Sequence, residues 1–191
     1  RIIESYCWLL SKAAQSFMIP CKDTIVIYGS RKAYSMPNSK KISIHFPHRA
    51  EGPFFATDLP VTMSDINYGG HLGHDSVLTL MHEARVSFLK AHELSEMNVN
   101  DGDPAIGLIM SELQVQYLTE SFHGDILRAE VLPFIPEGPR WFIAQRLVRV
   151  SDQREIARAL IGMTFFCYQS KKVQRAPDSL MRHCQDWKLP I

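Results

Sequence analysis

Asp65, Asn67, His71 and His74 fall within one short stretch, Val61-Thr-Met-Ser-Asp-Ile-Asn-Tyr-Gly-Gly-His-Leu-Gly-His-Asp-Ser76. A carboxylate, an amide and two imidazoles in a glycine-rich turn suit proton transfer to or from a substrate held close to backbone. His71 is a candidate base, since imidazole exchanges protons near neutral pH. Asp65 has three readings: it acts as the base, it orients His71 as aspartate orients histidine in other hydrolases, or it caps the turn. Asn67 cannot take up a proton but can hold a carbonyl or a water; its plainer role is to hydrogen-bond its own turn. His71, His74 and Asp75 have the atom types for zinc, yet no further ligand stands at a known spacing, so no metal is expected. Gly69, Gly70 and Gly73 fit neither nucleotide-binding fingerprint.

Flanking elements must position this turn. Phe54–Met63 reads as a strand and Ser76–Leu94 as a helix, with Asp75 or Ser76 as its cap. Val77, Met81, Ala84, Phe88 and Ala91 step by four, three, four and three, which places them on one apolar face. A helix start leaves amides unpaired, and the chain would present them beside the polar turn, where they can polarise a carbonyl. His82 falls at the margin of the apolar face, looking into a half-buried pocket, and is a second base candidate. Glu83 falls on the opposite side. Arg85 lies inside the apolar arc, which suits a buried ion pair, a contact with a partner chain or a ligand contact.

Four strands are expected after the helix, at Ile106–Thr119, Asp125–Ile135, Arg140–Val150 and Arg154–Tyr168. In the last, Ala157, Ala159, Ile161, Met163, Phe165 and Cys167 alternate with residues facing the other way. Short connections make these strands antiparallel neighbours. The fold class is therefore α+β: a five-stranded antiparallel sheet whose one apolar face is covered by one long helix. Pro177–Trp187 reads as a short closing helix.

The chain has 191 residues, 46% hydrophobic, enough for a domain with a true core. A net charge of +1, from 21 basic and 20 acidic residues, leaves no basic surplus for nucleic acid. Cys7, Cys21, Cys167 and Cys184 match no zinc spacing and read as reduced thiols of a cytoplasmic protein. The apolar run Tyr6–Leu10 is too short for a membrane span, and a native start upstream of Arg1 is expected. Residues 1–50 read as an N-terminal extension and 51–191 as the main domain. Within the extension a helix is expected over Ile2–Ile19, and strands over Thr24–Tyr28 and Lys41–Phe46 with a polar loop between them.

The order of elements resembles the hotdog fold. Asp65-Ile-Asn-Tyr-Gly-Gly-His-Leu-Gly-His74 followed by His82-Glu-Ala-Arg85 resembles acyl-CoA thioesterases related to 4-hydroxybenzoyl-CoA thioesterase. The Gly-His-Leu segment is also similar to plant acyl-carrier-protein thioesterases. The resemblance spans roughly residues 54–168. It implies a homodimer or homotetramer with sheets paired edge to edge and sites at the interface. It implies a thioester oxygen held by the amide of His74 with Gly73 beside it. Gly70 lets backbone approach the ligand, and Glu83 is a candidate substrate contact whose plainer role is a solvated or dimer-facing carboxylate. The expected substrate is an acyl-CoA; no other cofactor, no nucleic acid and no membrane partner is implied. Two positions depart from the family: Asn67 replaces an aspartate, and His82, eight residues after His74, replaces a Glu or Asp. Asp65, Asn67, His71 and His82 are the catalytic candidates. A non-catalytic module that binds acyl thioesters is the alternative. A hotdog dehydratase fits less well, because His45-Phe-Pro precedes the first strand. Arg128, Arg140, Arg146 and Lys171 are candidates to meet the phosphates of coenzyme A.

Overall fold

The structure is a computed structural model that describes residues 26–29, 32–35, 44, 46, 54–100, 102 and 104–187. The chain divides into two units, Arg1–Ser43 and Ile44–Ile191. In the first, β1 (Val26–Gly29) and β2 (Lys32–Ser35) pair antiparallel. The sequence suggests a polar loop where β2 lies; Lys32-Ala-Tyr-Ser35 has too few apolar residues to mark a strand, and pairing with β1 supplies the order that composition does not. The expected helix over Ile2–Ile19 lies outside the described residues. Of the expected strand Lys41–Phe46 only Ile44 and Phe46 are described, and neither is in a strand.

The second unit runs β3 (Phe55–Pro60), a short 3-10 turn (Met63–Asp65), α1 (His74–Ala91), β4 (Ile106–Tyr117), β5 (Ile126–Pro133), β6 (Arg140–Arg149), β7 (Glu155–Cys167), β8 (Lys172–Val173) and α2 (Asp178–Asp186). The sheet has the order β3-β5-β6-β7-β4, antiparallel throughout, with β8 added to the end of β7. Both ends of α1 differ from the expected bounds. Gly73 is the N-cap, in extended conformation, and the Val77 amide donates to its carbonyl at 3.0 Å. The helix therefore begins at His74, and neither Asp75 nor Ser76 caps it. At the other end Glu93 adopts φ 59°, the Leu94 amide returns to the Leu89 carbonyl at 2.8 Å and the Glu93 amide to Lys90 at 3.1 Å. This pair of bonds is the Schellman arrangement, and it stops the helix before Leu94.

Val77, Leu80, Met81, Ala84, Phe88 and Leu89 of α1 are buried in the core. They pack with Leu127, Ala129 and Val131 of β5, Trp141, Ile143 and Leu147 of β6, and Ala157 through Phe165 on the inner side of β7. Ala91, expected on the apolar face, is exposed beside the helix end. The helix packs on β5, β3 and β6. It leaves part of β4 uncovered, and that gap frames the site below.

Beyond α2, Trp187 closes the far end of α1. His92 sits among rings, 4.6 Å from Trp187, 5.1 Å from Phe88 and 5.6 Å from Phe54 by centroid. Burial holds its pKa below the ordinary 6.5, and the charge of His183 adds to the shift. The fold thus favours neutral His92, so this contribution to stability is whole above the unfolded value and is lost as pH falls through 6.5 toward the lowered one. Between pH about 7.5 and about 5.5 the melting temperature of wild type should fall further than that of His92→Phe. Equal losses in the two proteins would remove His92 as the source.

Candidate active site at the start of the long helix

The polar turn between β3 and α1 is held from several sides. Ile66 and Leu72 form an antiparallel bridge, and the Asn67 amide donates to His71 O at 2.9 Å. Gly70, at the tip, has φ +80°, which favours glycine. The Leu72 amide reaches Ser121 O at 2.8 Å, and Ser121 is buried, its hydroxyl donating to Asp125. Arg149 also donates to Asp125, at 3.2 Å. A network from β6 and the β4–β5 connection therefore fixes the turn against the sheet.

Each sequence candidate now has a place. Asp65 spends Oδ2 on the Thr62 amide at 2.8 Å and the Thr62 hydroxyl at 2.6 Å. It caps the 3-10 turn; no hydrogen bond joins it to His71. Asn67 accepts from the Gly69 amide at 2.8 Å through Oδ1, which aims its Nδ2 at His71 Nδ1, 3.3 Å away. The same Nδ1 lies 3.2 Å from Leu72 O. These two contacts need opposite tautomers. When Nδ1–H donates to Leu72, the Nε2 lone pair is free to accept a proton. Tyr68 and Gly70 are exposed at the tip of the turn.

At the helix start the Gly73 amide is taken: it donates to Asp65 O at 2.8 Å. Gly73 thus orders the junction and offers no donor to a ligand. The amides of His74, Asp75 and Ser76 have no acceptor among the described residues, and no side chain caps this end. Three donors and the positive end of the helix dipole therefore stand without a partner among the described residues, three to five positions after His71. Asp75 folds back over Gly73, where an added Cβ would lie 2.5 Å from its Oδ1, so a side chain at 73 would push that carboxylate aside.

His82 is exposed rather than half-buried, and Glu83, on the opposite side of the helix, is exposed as well. The helix leaves the His82 flank uncovered toward β4, and His82 Nε2 meets Glu96 Oε2 at 3.3 Å. Glu96 also accepts from Arg85 Nε at 2.8 Å. Among the described residues no group of three His, Cys, Asp or Glu side chains converges as a metal site. The three arginine candidates for phosphate contacts are paired, Arg128 with Asp58, Arg140 with Glu112 and Arg146 with Glu130. Lys171 is exposed in the turn before β8.

Two features escape local sequence reading. The Tyr117 hydroxyl donates to His74 O at 3.3 Å, tying β4 to the first turn of α1. Partial desolvation of its hydroxyl against the helix, and secondarily the charge of Asp75, raise the Tyr117 pKa, so it stays a donor. The second is a strip on β4. Residues paired across strands share a face. Leu108, Met110, Leu113, Val115 and Tyr117 stand opposite Phe165, Met163, Ile161, Ala159 and Ala157, so all five lie on the helix side of the sheet. Met110, Leu113 and Tyr117 are nonetheless exposed. An apolar strip thus runs beside α1 from its start toward its far end.

Comparison with known proteins agrees with this architecture. Residues 61–183, more than half of the chain, match the thioesterase-like superfamily. No curated protein matches the sequence. A 1,4-dihydroxy-2-naphthoyl-CoA thioesterase from Synechocystis superposes with a TM-score of 0.62 at 20% identity, over 71% of this chain and 98% of that one. A Staphylococcus aureus protein solved in complex with CoA gives 0.63 at 17% identity, over 72% and 86%. A gentisyl-coenzyme A thioesterase gives 0.58 at 15%, over 68% and 99%. At such identities the structural likeness speaks for the fold. Together with the sequence match from the turn through α2, it establishes that this chain belongs to the thioesterase-like superfamily and has the hotdog fold.

Proposed function

We propose that the protein hydrolyses an acyl-CoA thioester to the free acid and coenzyme A. The observation that carries this reading is the set of amides at His74, Asp75 and Ser76 with no acceptor among the described residues, at the end of the apolar strip where Tyr117 meets His74. The His74 amide receives the thioester oxygen, which gains negative charge as water adds to the carbonyl carbon. His71 Nε2 takes the proton of that water, with Nδ1–H held by Leu72 O. As the tetrahedral species collapses, the carbon–sulfur bond breaks and the proton passes to the departing thiolate. Asn67 acts from the turn itself, its Oδ1 accepting from the Gly69 amide and fixing the loop that carries the imidazole. The acyl group lies along Met110, Leu113 and Val115. A coenzyme A substrate agrees with the relatives, one of which was solved with CoA.

The working unit in this reading is a homodimer. β4 is an edge strand twelve residues long with apolar side chains exposed on both faces, including Ile109, Met110 and Leu113. Such an edge pairs readily with another copy. Light scattering should give a dimer mass at micromolar protein, and a monomer that still turns over would count against this part.

Incubation with short, long and aromatic acyl-CoAs, followed by thiol detection, tests the reaction. Thiol release should be measurable, and Asn67→Ala should lower it by about tenfold through loss of positioning. Tight binding of acyl-CoA with no thiol release would instead make the protein a binding module.

A further inference from the structure

Arg85 is a charged side chain only 3% exposed, and it pairs with Glu96, whose carbonyl accepts from the Leu108 amide of β4. A guanidinium carries five N–H donors. Here Nε donates to Glu96 Oε1, and Glu96 turns its other oxygen to His82. Among the described residues, none accepts a hydrogen bond from the Arg85 Nη groups. Among the described residues the one sealed side-chain polar atom without a partner is Gln145 Oε1. The Nη groups of Arg85 are therefore not fully sealed: a narrow opening to the surface reaches them.

Position indicates what that molecule is. At about 100° per residue, Arg85 points within about 20° of His74, eleven residues earlier on the same flank, and stands about 16 Å along the axis. Helical side chains lean toward the N-terminus, which brings the guanidinium to roughly 10 Å from the His74 amide. Leu78 lies between them on the helix, and on β4 Leu113 and Met110 follow on the helix side of the sheet from Tyr117, which meets His74. An acyl group held at His74 and laid along this strip ends at Arg85. Glu96 takes only the Nε donor of the guanidinium, which leaves both Nη groups for a second acceptor.

We propose that Arg85 recognises a carboxylate at the far end of the acyl group, which makes the preferred substrate the half-thioester of a dicarboxylic acid. The two Nη groups form the planar fork that a carboxylate matches with parallel bonds. Burial favours an anionic acceptor over a neutral one, because the charge it faces is poorly hydrated. The inference rests on the thioester reading for the direction in which the ligand lies.

Binding of two unreactive thioether analogues of acyl-CoA, equal in length and ending in carboxylate or methyl, measures it by calorimetry. Wild type should bind the carboxylate form at least about tenfold more tightly. Arg85→Gln should bring the ratio near one with the methyl form little changed, and Arg85→Lys should fall between. A wild-type ratio at or below one overturns the proposal even if no Arg85 variant folds. Because the readout is binding, a protein that shows the preference without cleaving thioesters supports this site and sinks the hydrolase reading. Thioester cleavage without the preference does the reverse.

Discussion

His74→Pro should lower kcat by about 10² to 10³ while leaving the fold intact, the loss expected when one oxyanion donor is removed. The substitution deletes the amide in question and little else. His74 is the first residue of α1, where proline is well tolerated because its missing N–H has no helical partner. A residue before proline must be extended, and Gly73 already has φ −66° and ψ 147°. The His74 carbonyl remains for Tyr117. The imidazole is exposed, so His74→Ala keeps the amide and serves as the control, with activity near wild type. Melting curves of the two variants should nearly coincide. A His74→Pro enzyme within a few-fold of wild type would show that this amide does not carry the developing charge. The Asp75 and Ser76 amides stay in place, so the measured loss is the share of the first donor alone.

The pairing of Gly73 and His74 as donors shows how far the sequence reaches. Glycines before an apolar repeat reveal where a helix starts and that its first amides lack helical partners. They do not reveal that the carbonyl of Asp65, eight residues back, bends round to occupy the Gly73 amide. That bond depends on the 3-10 turn and on the path of the chain through Ile66 and Leu72. Asp65 was ambiguous for the same reason: a carboxylate three residues after a threonine is a capping partner as readily as a base, and the short turn decides it. The alternation in β7 and the stepping of α1 were legible because burial imposes period two and period 3.6 on composition. Tyr117 and Glu96 were not. They meet His74 and His82 across 43 and 14 positions, through the placement of β4 beside the helix, and no local pattern encodes that.

His71→Gln should reduce kcat by about 10² to 10⁴, the usual worth of a general base. Four imidazoles come into question along α1, and geometry separates them. His92 lies among rings at the far end of the helix. His82 stands two turns from the amide donors with Nε2 on Glu96. His74 is exposed and supplies its backbone. His71 alone belongs to the fixed turn, with Nδ1 against Leu72 O or Asn67 and its ring against Gly69, where an added Cβ would lie 3.1 Å from Nε2. If Asn67 acts through this imidazole, its loss matters little once His71 is gone. Asn67→Ala should then cost about tenfold in wild type and almost nothing in His71→Gln, a failure of additivity that a merely structural asparagine does not produce. A small-cavity variant, His71→Ala, should recover part of its rate with added imidazole. If instead His71→Gln stays near wild type while His82→Gln and Glu96→Gln fall together, the proton passes through the His82–Glu96 pair, and the turn serves only to hold the amides in place.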